Sequence, residues 1–366
     1  MKLIVNRESL LNPLQQIVNV VEKKQTMPIL SNVLIRLEKN RLQMTGTDLE
    51  VQISASTYLE QSEDGATTVP ARKFLDLCRL LPAHAEIKLD LQDNKLRMVS
   101  GRSRFSLSTL PAEDYPHFSQ ANSEGEFQIT SQQLKKALDK TLFCMANQDV
   151  RYYLNGLLLI ISNSTLRFVA SDGHRLAIYQ ETLQQETGLE HKIIIPRKGV
   201  LELSRLLAND DSPVIVQFSN NHIRVSSLDT VFLSKLIDAK YPDFSKVVNQ
   251  AFHEPIALPR IEFKEALNRV AVLSNEKIKG LSLDFTPDVL KISAHNPDHD
   301  EAEEEIPISF IGEPLRISFN AQYLQDAVAN LDSDVLHYQI AKNSSCCILL
   351  HPEHDQYQFL VMSMIL

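Results

Sequence analysis

The feature that most constrains this chain is a repeat. The stretch Leu42-Gln43-Met44-Thr45-Gly46-Thr47-Asp48-Leu49-Glu50-Val51 lies 124 residues before Leu166-Arg167-Phe168-Val169-Ala170-Ser171-Asp172-Gly173-His174-Arg175-Leu176-Ala177-Ile178. Another 124 residues on comes Leu290-Lys291-Ile292-Ser293-Ala294-His295-Asn296-Pro297. In each copy apolar residues fall at alternate positions (Leu42/Met44, Leu166/Phe168, Leu290/Ile292), then an Asp or Asn leads into a polar turn. That pattern predicts a half-buried strand entering a hairpin, with the Asx side chain bonding nearby backbone. Asp172 and His174 correspond to Asp48 and Glu50 in the first copy and to Asn296 and Asp298 in the third. The repeat therefore carries a scaffold, and any special use of His174 belongs to the middle copy.

Strand starts at Asn32, Gly156 and Gly280 keep the same step. Before each lies a helix-like apolar stripe: Leu10, Leu11, Leu14, Ile17, Val18 and Val21; Leu134, Leu138 and Leu142; Phe263, Leu267 and Val270. Ser9 and Ser131 are the expected N-caps. A second helix start recurs as Val69-Pro70-Ala71-Arg72-Lys73, Ile195-Pro196-Arg197-Lys198 and, more faintly, Phe319-Asn320-Ala321-Gln322-Tyr323, and alternating strands follow each. Every copy thus reads as a small α+β domain, two helices laid on antiparallel sheet. With 366 residues the chain suits two or three cores, and the repeat selects three, 1–122, 123–250 and 251–366, joined by polar linkers near 117–125 and 249–255.

The longest apolar run, Leu157 to Ile161, is far too short to span a membrane, and the N-terminus turns polar at Asn6-Arg7-Glu8, unlike a signal peptide. Cys78, Cys144, Cys346 and Cys347 have no metal-binding or CxxC spacing, which fits reduced thiols in the cytoplasm. Neither GxGxxG nor a Walker-type loop occurs. Two fragments invite a catalytic or metal reading: Asp172-Gly173-His174, and His295 with Asp298, His299 and Asp300. Neither has partners at a diagnostic spacing, so the chain reads as a non-enzyme.

A net charge of −9 ordinarily argues against nucleic acid, yet the two signs are segregated. Six acids crowd the eight residues from Asp298 to Glu305, while Arg97, Arg102 and Arg104 surround Phe105 and Leu107. An acid run commonly marks a solvated loop. The alternative is a head-to-tail contact between a first and a third domain, closing an arc of like units.

The whole chain resembles the bacterial sliding clamp family, the β subunit of DNA polymerase III. The likeness is carried by Thr45-Gly46-Thr47-Asp48-Leu49-Glu50, by Gly65 through Phe74, by Ser100-Gly101-Arg102-Ser103-Arg104-Phe105 and its continuation to Pro111, and by Gln148-Asp149-Val150-Arg151-Tyr152-Tyr153-Leu154-Asn155-Gly156. Asp172-Gly173-His174-Arg175-Leu176-Ala177, Pro196-Arg197-Lys198-Gly199-Val200 and Leu273-Ser274-Asn275-Glu276-Lys277 complete it. The resemblance implies a head-to-tail homodimeric ring of six such domains, helices inside and sheets outside. It implies a processivity factor that encircles duplex DNA without sequence preference, needs no cofactor or metal, and acts in the cytoplasm at the nucleoid, away from membranes.

Lys24, Arg72, Gln148, Tyr152 and Tyr153 match DNA-touching positions of the family, and Arg197 and Lys198 repeat Arg72 and Lys73 as inner-surface cations. Phosphate contacts carry no sequence information, which suits sliding. A partner-peptide cleft is implied at Leu154, Ser171, Gly173, His174, Arg175, Leu176, Pro242, Lys246, Val247, Asn320, Tyr323, Cys346, Leu360, Val361, Met362, Met364 and Leu366. Its expected users are the replicative polymerase, the clamp loader, translesion polymerases, mismatch-repair proteins and ligase. Ser363 and Ile365 stand where the family often has Pro and Arg. The dimer contact is implied at Arg102, Arg104, Phe105 and Leu107 against Val272, Leu273, Glu301 and Glu304.

Overall fold

The computed structural model describes residues 1–21, 27–118 and 123–366. Each copy runs strand, helix, four main strands, helix, three strands. In the first copy the strand Lys2–Asn6 and helix Arg7–Ile17 precede strands Asn32–Glu38, Arg41–Thr47, Val51–Tyr58 and Gly65–Pro70, then helix Ala71–Leu80 and strands Glu86–Gln92, Lys95–Ser100 and Ser103–Ser108. The second copy has Gly125–Thr130, helix Ser131–Asp139, Gly156–Ser162, Thr165–Ser171, Arg175–Thr182, Glu190–Pro196, helix Arg197–Leu206, Pro213–Phe218, His222–Ser226 and Thr230–Lys235. The third has Ile256–Pro259, helix Arg260–Ala271, Gly280–Phe285, Val289–His295, Glu301–Pro307, Leu315–Asn320, helix Ala321–Ala329, Val335–Ile340, Cys346–Leu350 and Tyr357–Met362. The strands opening at Arg41, Thr165 and Val289 keep the 124-residue step.

Contacts divide the chain into two compact units that cut through the middle copy: residues 1–135 with 198–237, and residues 136–197 with 238–366. In the first unit an eight-stranded antiparallel sheet joins the last strands of copy two to copy one, with Val51–Tyr58 paired to Thr230–Lys235 at the seam, and a five-stranded sheet ends on Ser103–Ser108. The second unit has its own eight-stranded sheet, with Arg175–Thr182 paired to Tyr357–Met362 at the seam, and a four-stranded sheet with Glu301–Pro307 at one edge. Helix faces cover these sheets. Leu10, Leu14 and Ile17 are fully buried on one helix, Phe263, Leu267 and Val270 on another, each such side chain contributing about 1.5–3 kcal/mol.

The hairpin turns follow the expected chemistry in all three copies. Asp48 Oδ1 accepts the N–H groups of Glu50 and Val51 at 2.9 and 2.7 Å, Asp172 Oδ1 those of His174 and Arg175 at 3.0 Å each, and Asn296 Oδ1 those of Asp298 and Asp300 at 3.0 Å each. Asp172 is thus a turn-former, as its counterparts are.

Helix ends depart from expectation. Ser9 lies inside the first helix, whose N-cap Asn6 makes no side-chain cap bond. Ser131 opens the second helix, and its hydroxyl donates to the Ala208 carbonyl at 2.8 Å. The cap there is Thr130: its Oγ1 accepts the Gln133 N–H, while Gln133 Oε1 accepts the Thr130 N–H, both at 3.2 Å, a reciprocal capping box. Val18, Val21 and Leu142 are not in the α-helices, because an apolar stripe continues into the turn that follows and stays packed there. The acidic run is a strand edge from Glu301 onward, with only Asp298 to Asp300 in the turn. No helix among the described residues is long and apolar enough to cross a membrane.

Candidate functional site

In the second unit, the seam register sets Leu176 opposite Leu360 and Arg175 opposite Val361. The His174 carbonyl accepts the Met362 N–H at 2.8 Å, so the turn of residues 171–175 and the end of the last strand are fixed together. The Ser171 hydroxyl donates to the Arg175 carbonyl at 2.7 Å and accepts the Gly173 N–H at 3.0 Å, which holds the turn's shape.

Arg175 is the post against which one wall leans. Its Nε donates to Asp172 Oδ2 at 3.0 Å and its Nη1 to Asp326 Oδ2 at 2.5 Å, and its guanidinium sits 4.5 Å from the centre of the Tyr323 ring. His174 stacks near Tyr323 at 6.2 Å between ring centres. Tyr323 is presented by the helix whose N-cap is Asn320, where Oδ1 accepts the N–H groups of Gln322 and Tyr323. Burial raises the Tyr323 hydroxyl above its ordinary pKa.

Gln250 ties the linker to the floor, donating to the Val247 carbonyl at 3.0 Å and to Cys346 Sγ at 2.8 Å. Cys346 in turn pairs with Met362 across the sheet. The tail continues past the strand: the Met364 N–H donates to the Ser318 carbonyl at 2.8 Å, the Ser363 hydroxyl to the Ser344 carbonyl at 2.8 Å, and Leu366 lies over Gly280. A Cβ at Gly280 would stand 2.2 Å from Leu366 Cδ2, so any larger residue there would make the Leu366 side chain shift.

The expected cleft residues therefore include an apolar floor of buried Leu154, Leu176, Cys346, Leu360 and Val361, with half-buried Met362, Met364 and Tyr323 and exposed Gly173, His174, Pro242 and Lys246 about it. Ile365 is fully exposed. The Tyr153 and Tyr241 rings meet edge-on at 6.5 Å, bringing Leu154 and Pro242 to neighbouring positions.

Three residues escaped the sequence reading. Asp326 holds Arg175 from 151 residues away. Gly280 was read as a strand start alone. Arg151 reaches over Gly173, donating to Asp149 Oδ1 and Oδ2 at 3.0 and 2.8 Å and to the Asp172 carbonyl at 3.1 Å. Gly173 has φ of +89°, and a Cβ there would stand 2.8 Å from the Arg151 guanidinium, so glycine meets both demands. Bonds from Arg151 pull the Asp149 carboxyl down to about 2.

Of the expected DNA-facing residues, Lys24 lies outside the described residues. Arg72 Nη2 donates to the Val21 carbonyl at 3.0 Å and Arg197 Nη1 to the Met145 carbonyl at 2.8 Å; the carbonyls are equivalent in the two copies, but Arg197 opens its helix, level with Ala71, and Arg72 is level with Lys198. In both copies an arginine thus braces the turn after the preceding helix, and the repeat alone does not make it a phosphate ligand. Lys198 is ion-paired with Asp48. Lys73, Gln148 and Tyr152 are exposed, and Tyr153 is half-buried.

At the first unit's sheet edge Arg102 and Arg104 are exposed, Phe105 is half-buried and Leu107 buried. In the second unit Val272 is 77% exposed and Leu273 half-buried. Glu301 is exposed, whereas Glu304 already accepts from Arg269 Nη2 at 3.0 Å, which lowers its pKa.

Comparison with known proteins decides the family. Residues 1–119, 128–243 and 246–365 match the N-terminal, central and C-terminal domains of the DNA polymerase III beta subunit. The chain is 41% identical over 365 residues to the beta sliding clamps of Pseudomonas aeruginosa and Escherichia coli, with all of each chain covered. The chain belongs to the DNA polymerase III beta subunit family. Its three domains have the sliding-clamp fold: a crystal structure of the Pseudomonas aeruginosa beta subunit bound to griselimycin superimposes with a TM-score of 0.97 at 41% identity, and the Caulobacter crescentus beta subunit with 0.94 at 32%, all of each chain covered. As a member of this family the chain is a non-catalytic processivity factor of DNA replication. The Asx turn explains Asp172 without any catalytic role, as the family does.

Proposed function

We propose that this clamp works as a head-to-tail homodimeric ring around duplex DNA, built from domains 1–122, 123–250 and 251–366 of each chain. The single observation that carries the assembly is a pair of complementary open sheet edges. Ser103–Ser108 presents Arg104 beside the exposed Arg102, while Glu301–Pro307 presents Glu301 and Glu305, with Glu303 between them paired to Lys291 Nζ at 2.6 Å. An unpaired strand edge is a template for another strand, and opposite charge sets which edge it accepts. Phe105 and Leu107 of one copy would meet Val272 and Leu273 of its partner. Glu301 serves this contact better than Glu304, whose carboxylate is held by Arg269.

DNA is held without sequence preference by Lys24, Arg72, Lys73, Gln148, Tyr152, Tyr153, Arg197 and Lys198, the exposed ones first. The replicative polymerase, clamp loader, translesion polymerases, mismatch-repair proteins and ligase each insert a short hydrophobic peptide at the Leu176/Leu360 seam. Apolar walls with adaptable methionines suit a site shared by several partners. The griselimycin complex of the Pseudomonas aeruginosa relative supports a ligandable surface on this fold.

Topology tests the ring. Loaded by a clamp loader onto nicked circular DNA, the protein should stay bound in salt and leave when the circle is cut. Equal retention on circle and linear DNA would exclude encirclement.

A further inference from the structure

One cluster of metal-ligating side chains lies outside everything above. Asp332 follows the helix Ala321–Ala329, and His351 and His354 lie in the turn between strands Cys346–Leu350 and Tyr357–Met362. One ligand atom from each can be chosen so that all lie within 4.8 Å of one another, which no other group of three or more His, Cys, Asp or Glu achieves among the described residues. We propose that Asp332, His351 and His354 bind a divalent transition ion of borderline softness, zinc being the representative case.

Two imidazoles and one carboxylate are a donor set that such ions favour, and three protein ligands leave one position for water. The rings of His351 and His354 lie face to face, 3.8 Å between centres and 6° from parallel, which brings the two close together, and one ring must rotate for both in-plane nitrogen lone pairs to meet one ion. Zinc bonds of about 2.0–2.2 Å require donor atoms about 3.3 Å apart, so the cluster must contract by roughly 1.5 Å. His354 is exposed in its turn, but its ring packs on His351 and lies edge-on to Tyr357 at 5.0 Å between centres, so binding must turn it out of that stack.

The carboxylate is oriented in advance. One oxygen of Asp332 accepts from the Tyr357 hydroxyl, and the other lies 3.3 Å from Lys140 Nζ. Each oxygen keeps a further lone pair for an ion. Groups that hold a ligand in place in this way strengthen metal binding.

Two features oppose the ion. Lys140 brings a positive charge to the carboxylate, and His351 Nδ1 accepts the Glu353 N–H at 3.1 Å, a bond that ligation would exchange. Both lower affinity without blocking the site, and the first provides a test that a mere surface histidine pair would fail. An ion here would pin the turn that leads into Tyr357–Met362, the strand whose far end forms the Leu360 wall.

Zinc would be titrated into the full-length protein against a chromophoric chelator of known affinity, with the melting temperature followed in parallel. One ion per site per chain is expected, with a rise in melting temperature from preferential binding to the folded state. His351→Gln and His354→Gln should each weaken binding roughly tenfold or more. Lys140→Gln should tighten it several-fold, because a competing cation leaves Asp332. Cobalt in place of zinc should give a visible absorption band that both histidine variants lose. Binding that survives the double histidine variant, or that is lost instead with His295→Gln and His299→Gln, overturns the proposal. So does a Lys140→Gln variant that binds zinc no more tightly, a readout that stands even where a histidine variant folds poorly.

Discussion

The two eight-stranded sheets are built alike and lined differently. In the first unit the seam places Gln52 opposite Leu233 and Val51 opposite Ser234, and the 340 Å³ hollow beside it is walled mostly by polar residues, Gln43, Gln52, Ser54, Gln217, His222 and Arg224 among them, with Phe118, Phe218, Val231 and Leu233 as its apolar members. In the second, the residues 124 positions on are Leu176 for Gln52 and Ile178 for Ser54, and Leu360 faces Leu176. Backbone pairing therefore makes a seam in both units, while side-chain chemistry makes only the second one apolar, and that is the seam proposed to take partner peptides. A hydrophobic partner gains by burying its side chains against leucine and methionine. Against glutamine, serine and arginine it would strip water from polar groups with nothing in return.

The largest expected effect comes from removing a wall. Deleting residues 362–366 takes away Met362, Met364 and Leu366, and the affinity of a labelled Leu/Phe-rich peptide, read by fluorescence anisotropy, should fall at least about 100-fold. Light scattering should show the same oligomer as the intact protein. Unchanged peptide affinity in the truncated chain would put the site elsewhere and remove the contrast between the seams.

A smaller change exchanges chemistry between them. Leu176→Gln gives the second seam the first one's residue and forfeits one buried leucine contact, about 1.5–3 kcal/mol, or roughly 10- to 100-fold in peptide affinity. The reciprocal Gln52→Leu should create no peptide binding, since Ser54, His222 and Arg224 remain. Peptide capture by the Gln52→Leu protein, detected with the second seam blocked by Leu176→Gln, would show that one residue suffices.

Next comes Gly280→Ala. Its methyl would occupy the place of the Leu366 side chain and displace it, while leaving the strand pairing from Gly280 to Asn320 in place. Peptide affinity should drop roughly three- to tenfold with little change in melting temperature, a loss smaller than truncation because Met362 and Met364 stay. Leu366→Ala should produce a similar loss. If Gly280→Ala binds peptide normally, the position of Leu366 does not shape the cleft.

The contrast shows what a chain of this kind discloses in its sequence. The repeat, its alternating strands and the Asx turns were legible because each is a short-range pattern printed three times. The substitution of Leu176 for Gln52 could be read the same way, by laying one copy over another. Helix ends were less legible: Val21 and Leu142 extend an apolar stripe past the last helical turn, and Thr130 displaced Ser131 as the cap. Arg72 and Arg197 brace equivalent carbonyls from helix positions one residue apart, a role the sequence could not distinguish from charge, since those carbonyls belong to turns whose path was unknown. Asp326, the partner of Arg175, lies 151 residues away with no periodicity to betray it. Long-range polar pairs follow from the packing, and the packing is what a strand pattern leaves open.

The smallest expected effect concerns the loop that overhangs only the second seam. Where Arg151 lies over Gly173, the first copy has Met27 and Leu49, so the clasping arginine has no counterpart at that position. Hydrogen bonds from the Arg151 side chain lower the Asp149 carboxyl from 3.8 to about 2. A depressed carboxyl favours the folded loop wherever it is ionised in both states, and the advantage is lost as pH falls through the folded value. The clasp should therefore hold unchanged from pH 7 down to about pH 4, then loosen toward pH 2. A carboxyl ¹³C titration by NMR checks this directly, and an Asp149 midpoint near the ordinary 3.8 would mean that Arg151 does not hold it in solution. Because both side chains reach solvent, Asp149→Asn at neutral pH should cost peptide affinity less than about threefold. A larger loss would mean that the loop itself forms part of the wall, and that the seams differ in their covers as much as in their linings.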